Sequence, residues 1–172
     1  LTVPQLFDLF TADAALRDHM PPAAYQVDPR DGSVVVFAPN RARRPHAYEE
    51  EWSNSAGSKD CPICAGKTTG VVDTAVLSQG STFINKNLFP VVSADFTTAA
   101  QTAYGLHFLQ WTSTYHEQDW HNMPLADCVV VMERLAALER HLLFGPGVAR
   151  IMKPAIAGDK NQGHGYVSII KN

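Results

Sequence analysis

Residues 124–145 read PLADCVVVMERLAALERHLLFG. Leu125, Cys128, Val129, Met132, Leu135, Leu138 and Leu142 recur there every three or four positions, the period of a helix with an apolar face. Pro124 suits the first turn, where its missing N–H costs nothing, and Gly145 suits the stop. Arg140 and His141 fall at the end where the helix dipole favours cations. The stretch predicts a helix over 124–144 that turns Leu125, Val129, Met132, Leu135 and Leu142 toward a sheet.

Working outward, the segments Thr82 to Lys86 and Tyr104 to Thr112 read as two strands of one sheet. Asp28-Pro29-Arg30-Asp31-Gly32 is turn chemistry between Ala24–Val27 and the β-branched run Ser33 to Ala38, which predicts a hairpin. Tyr166 to Ile170 alternates weakly as a last strand. The five segments are expected to form one antiparallel sheet with the long helix on one face, an α+β fold. At the other end, Leu6, Leu9, Phe10 and Ala14 give residues 4–19 a short helix, and Pro21 and Pro22 forbid its continuation. Two units are therefore expected, an N-terminal helical segment over 1–22 and the main body over 23–172.

The 172 residues carry 14 Lys+Arg against 17 Asp+Glu, a net charge of −3 that is no footprint for nucleic acid. With 45% hydrophobic and 18% charged residues, neither disorder nor a coiled coil fits. The sequence has no apolar run of the roughly 18 residues that a membrane span needs, and Leu1 to Phe10 lacks the basic start of a signal peptide. Three cysteines, two of them with only two residues between, suit ligation or redox chemistry better than a disulfide framework. A cytoplasmic, reducing setting is expected.

Cys61-Pro-Ile-Cys64-Ala-Gly66 forms a knuckle in the long polar loop from Glu49 to Gly70. Zinc is the expected guest, with a thiol redox pair or two unligated thiols as the alternatives. The further zinc ligands would come from His46, His107, His116, His121 and His164. Asn40-Arg41-Ala42-Arg43-Arg44-Pro45 sets three guanidiniums just after a strand, either a fork for phosphate or carboxylate oxygens or a solvated loop balanced by Glu49, Glu50 and Glu51. Asn85-Lys86-Asn87-Leu88-Phe89-Pro90 offers amide donors and a ring at a strand end, or simply a turn with one buried Phe.

The order of these pieces is a hairpin, Arg-x-x-Arg-Pro, Cys-x-x-Cys, a strand ending in Asn-x-Phe, a strand ending near a histidine, then Pro-Leu opening a helix. It resembles the galactose-1-phosphate uridylyltransferase family of the histidine-triad superfamily, over roughly Tyr25 to Asn172. Chains of that family hold two histidine-triad-like halves, and this sequence is similar to the first. The resemblance implies a histidine-triad-like half-domain with Cys61, Cys64 and His116 on a structural Zn²⁺. It also implies Arg41 and Arg44 on substrate phosphates, one of them across a dimer interface, and Ile63, Asn87 and Phe89 around the nucleoside. Asn172 matches the asparagine that opens the segment before the family's active-site motif.

The implied activity is that of a nucleotidyltransferase or nucleoside-diphosphate-sugar phosphorylase. A neutral imidazole attacks the α-phosphorus, a nucleotidyl-histidine forms, and a second phosphate acceptor takes the nucleotidyl group. The partners implied are a nucleoside-diphosphate sugar or other nucleotide and a sugar phosphate. A homodimer or a C-terminal half beyond this sequence would complete the fold. The His-x-His-x-Gln motif that carries the fourth zinc ligand and the nucleophile does not occur in the 172 residues, so the nucleophile is expected beyond Asn172. The alternative is a zinc-stabilised nucleotide-binding or scaffold module that has lost the reaction. Leu88 departs from the family, whose members commonly carry an Asp there that touches the ribose.

Overall fold

A computed structural model describes residues 1–14, 24–43, 68, 70–95, 103–147 and 167–170. Helix α1 spans Val3–Thr11 and starts with a capping box. The Thr2 amide donates to Gln5 Oε1 at 2.7 Å and the Gln5 amide to Thr2 Oγ1 at 3.4 Å, which satisfies two of the donors a helix start leaves open. The helix ends at Thr11 and the chain is helical again at Ala14, while the rest of the predicted helix to residue 19 lies outside the described residues. Val3, Phe7 and Phe10 form its buried stripe and pack with Ala94, Tyr104, Leu106 and Phe108. Helix α1 is thus built into a hydrophobic core.

The hairpin appears where its turn residues place it. Strand β1 (Ala24–Val27) pairs antiparallel with β2 (Val34–Phe37), Val27 opposite Val34 and Ala24 opposite Phe37. The Asp28 amide donates to the Ser33 carbonyl and the Gly32 amide to the Asp28 carbonyl, and Gly32 closes the turn at φ 75°, a conformation that suits residues without a Cβ. Two carboxylates brace it. Arg30 donates side-chain and backbone N–H groups to Asp28, and Ser33 its amide and hydroxyl to Asp31. These bonds hold both carboxyls below the usual carboxylate range, Asp28 chiefly through the Arg30 side chain and Asp31 chiefly through the Ser33 amide. The bracing is therefore complete above that range and lost as pH falls through it.

The single five-stranded sheet is not what forms. β1 and β2 make a sheet of their own, and a separate three-stranded antiparallel sheet has the order β3 (Val71–Val76), β4 (Ser81–Lys86), β5 (Phe108–Trp111). Strand β3 has no counterpart among the sequence predictions, and residues 167–170 form no strand. β4 and β5 do lie in one sheet as expected, Phe83 opposite Trp111 and Lys86 opposite Phe108. β4 is the central strand and Thr82 through Lys86 are all buried, so its polar side chains need internal partners. Thr82 donates to the Trp111 carbonyl at 2.8 Å, and Asn85 accepts from Trp111 Nε1 at 3.1 Å.

Helix α2 spans Leu125–Phe144, with Pro124 at the cap position, one residue before the first turn. It meets the sheet with a face that overlaps the predicted one only at Leu135 and Leu142. Val131 is fully buried and packs with Leu77 and Met123, whereas Leu125, Val129 and Met132 are exposed and Leu135 and Leu142 only partly buried. Polar anchors choose the face. Buried Asp127 accepts from the Ser78 amide at 2.9 Å and the Ser78 hydroxyl at 2.5 Å. Arg134 grips Asp73 of β3 with Nε at 2.7 Å and with Nη2, which raises the Arg134 pKa, and Gln110 Nε2 donates to the Val131 carbonyl at 3.0 Å. Among the described residues no helix is long and apolar enough to cross a membrane.

Candidate functional site

β4 runs out into the turn Asn87-Leu88-Phe89, and three sequence-distant groups meet there. Asn87 bends the chain itself: its Oδ1 accepts the Phe89 amide at 2.8 Å, the side-chain-to-backbone bond that makes asparagine a turn residue. Its own amide donates to the His107 carbonyl at 2.9 Å, which fixes the turn to the chain entering β5. Arg41, in the 3-10 turn Pro39–Arg43 that follows β2, donates Nη1 to the Phe89 carbonyl at 3.3 Å. The bond spans 48 positions in sequence and links the segment that follows the hairpin to the end of β4.

His107 anchors this turn. The Val91 amide points at its Nδ1 at 3.1 Å, so Nδ1 is an acceptor and bears no proton in this arrangement. Asn87 Nδ2 lies 3.4 Å from Nδ1 and 3.2 Å from Nε2, across the same edge of the ring. The ring and the backbone of one histidine thus hold both ends of the 87–91 segment. His107→Leu is expected to cost about 1 kcal/mol, because a part-buried N–H loses its acceptor, whereas His107→Asn keeps an acceptor at the δ position and should cost less than half as much. Urea denaturation of the two variants checks the difference, and equal losses would show that only the ring's bulk matters.

Of the residues the sequence singles out, Arg41, Asn87 and Phe89 are brought together. Arg44, Cys61, Ile63, Cys64 and Asn172 lie outside the described residues. His116 sits elsewhere, exposed, on the wall of an open depression of about 420 Å³ with Gln79, Tyr115, Glu117, Gln118 and Asn122. Gly80 makes that wall possible. At φ 71° it lets the β3–β4 turn approach the Thr114 and Tyr115 side chains so closely that a Cβ would come within 2.4 Å of Thr114 Oγ1. Among the described residues no three His, Cys, Asp or Glu side chains cluster as a metal site. The zinc reading keeps its chemical basis, two thiolates and an imidazole being a donor set that suits zinc over magnesium or calcium.

No local pattern marks His107 as a turn anchor. It was legible only as one of five spare histidines, because its partners Asn87 and Val91 are 20 and 16 positions away. No family model, no curated protein and no solved structure matches this chain.

Proposed function

We propose that the chain is a nucleotide-phosphate-binding half-domain of histidine-triad-like fold. In this reading it is the N-terminal part of a nucleotidyltransferase or nucleoside-diphosphate-sugar phosphorylase. The observation that carries the reading is the meeting of Arg41, Asn87 and Phe89 at the end of β4. One of the five N–H donors of Arg41 is spent on the Phe89 carbonyl, which orients the guanidinium at the turn. Asn87 shapes the turn through its own bonds, so its part is to position Phe89, whose ring would pack against a nucleoside. Arg41 and Arg44 would neutralise phosphate oxygens. Zn²⁺ on Cys61, Cys64 and His116 would tether the Glu49 to Gly70 loop, a structural contribution with no part in the reaction.

Calorimetric titration of the zinc-loaded chain with a uridine and an adenosine diphosphate sugar tests the proposal. Binding of one of them is expected, weakened by roughly 1–3 kcal/mol in Arg44→Ala, the range for hydrogen bonds to charged groups and buried desolvation. Elemental analysis of protein purified without chelator is expected to give one zinc per chain, lost in Cys61→Ser. Absence of nucleotide binding in a zinc-containing, folded preparation would overturn the reading. Binding with no turnover when the C-terminal half is supplied would assign the chain to the scaffold alternative.

A further inference from the structure

Lys86 immediately precedes the Asn87-Leu88-Phe89 turn, and its side chain is only 5% exposed. Lysine is rarely buried unless it is paired, because its four-carbon stem ordinarily carries the ammonium out to water. Here the ammonium points inward. It donates to Asp13 Oδ2 at 2.5 Å and to the Leu9 carbonyl at 3.2 Å, with the centre of the Phe10 ring 5.8 Å away. Leu9 and Phe10 belong to α1, and Asp13 lies just past its end. That support is itself held along its length, since the Val3 amide donates to the Pro146 carbonyl at 3.2 Å and Phe10 is closed into the core.

The stem between backbone and ammonium is packed as closely. Gly70, at φ 67° just before β3, lies against it so tightly that a Cβ there would collide with Lys86 Cε and stand 3.2 Å from Cγ and Cδ. The Gly70 carbonyl also accepts the Lys86 amide at 3.1 Å. Successive side chains of a strand leave on opposite faces, so Lys86 grips the end of β4 on one face and Asn87, through His107, grips it on the other. An ammonium that loses its carboxylate turns toward water and draws the stem out from under Gly70. The end of β4, and the turn that starts one residue later, would then be held on one face only.

We propose that Lys86 is a positioning residue for the Asn87–Phe89 turn, its stem locked against Gly70 by the tie of its ammonium to α1. It acts through the backbone of Asn87, so the aim of Phe89 and of the carbonyl that holds Arg41 depends on the docking of the N-terminal helix. For what the turn binds, the inference rests on the nucleotide reading; for the coupling itself it does not.

NMR of the full chain without ligand, well below its unfolding midpoint, reads the turn directly. The signals to follow are the amides of Asn87, Phe89 and Val91 and the coupling across the hydrogen bond from the Val91 amide to His107 Nδ1. Asp13→Ala should shift these amides and weaken the coupling. Lys86→Met keeps the stem without the charge and should leave them in place, alone or combined with Asp13→Ala, whereas Lys86→Ala removes the stem and should shift them. Affinity for a nucleoside diphosphate sugar should fall about tenfold in Asp13→Ala and return to within about twofold of the parent in Asp13→Ala/Lys86→Met. A lowered melting temperature with turn signals and affinity unmoved would make the pair purely structural and overturn the proposal, as would equal shifts in Lys86→Met and Lys86→Ala. That last comparison decides the matter alone if Asp13→Ala does not fold. A parent chain that binds no nucleotide overturns the functional reading, and the unliganded amide signals still decide the role of Lys86.

Discussion

Phe10→Ala is expected to cost about 3–5 kcal/mol, the range for emptying a closed core site of a large ring. The side chain is 1% exposed. It stands edge-on to Phe108, centroids 5.2 Å apart at 81°, the arrangement that the ring quadrupoles favour. Lys86 Nζ lies 5.8 Å from its centroid, and Val3, Phe7 and Ala94 close the site. Domains of this size are stable by about 5–15 kcal/mol in all, so one ring holds a large share of the margin. Urea unfolding should show a lowered midpoint with unchanged slope. A loss below 1 kcal/mol would mean that α1 does not dock on the β5 end of the sheet. Leu135→Ala on α2 should fall well short of the Phe10 loss, because Leu135 is only partly buried.

Asp13→Ala is the second large effect, about 3 kcal/mol. Lys86 ends the central strand with its side chain 5% exposed, and its ammonium meets Asp13 Oδ2 at 2.5 Å and the Leu9 carbonyl at 3.2 Å. Removing the carboxylate leaves a buried cation with one neutral acceptor, a change that costs about 3–5 kcal/mol; the lower end applies because Asp13 is itself 22% exposed. Lys86→Met behaves differently. It removes the buried charge, keeps the length of the stem, and leaves a carboxylate that water can reach, so its cost should be within about 1 kcal/mol. The double variant Asp13→Ala/Lys86→Met should recover most of the Asp13 loss. Failure to recover would mean that Asp13 acts through the backbone of α1 and not through Lys86. Phe10 and Lys86 touch, so their losses will not add.

The site illustrates how far local reasoning reaches. Asn87 and Phe89 were marked by their place at a strand end, and Arg41 by its place after the hairpin. That they share one turn is a fact about hydrogen bonds spanning 48 and 20 positions, which no local pattern encodes. Strand β3 was missed for a related reason. Val71-Val-Asp-Thr-Ala-Val76 alternates poorly because Asp73 is placed to meet Arg134, 61 positions on.

By itself the sequence determined the elements whose causes are local. The Asp28–Gly32 turn and its β-branched flank dictate the hairpin, and the three-and-four spacing after Pro124 dictates α2. Tertiary structure decided which side of α2 is buried and which strands share a sheet. Apolar residues line both faces of that helix, so periodicity alone could not choose. The choice fell to Asp127 on Ser78 and Arg134 on Asp73, because part-buried polar groups tolerate few partners whereas apolar side chains accept almost any. The β1–β2 pair likewise satisfies its inner hydrogen bonds alone, and nothing in its own residues required it to join the β3–β4–β5 sheet.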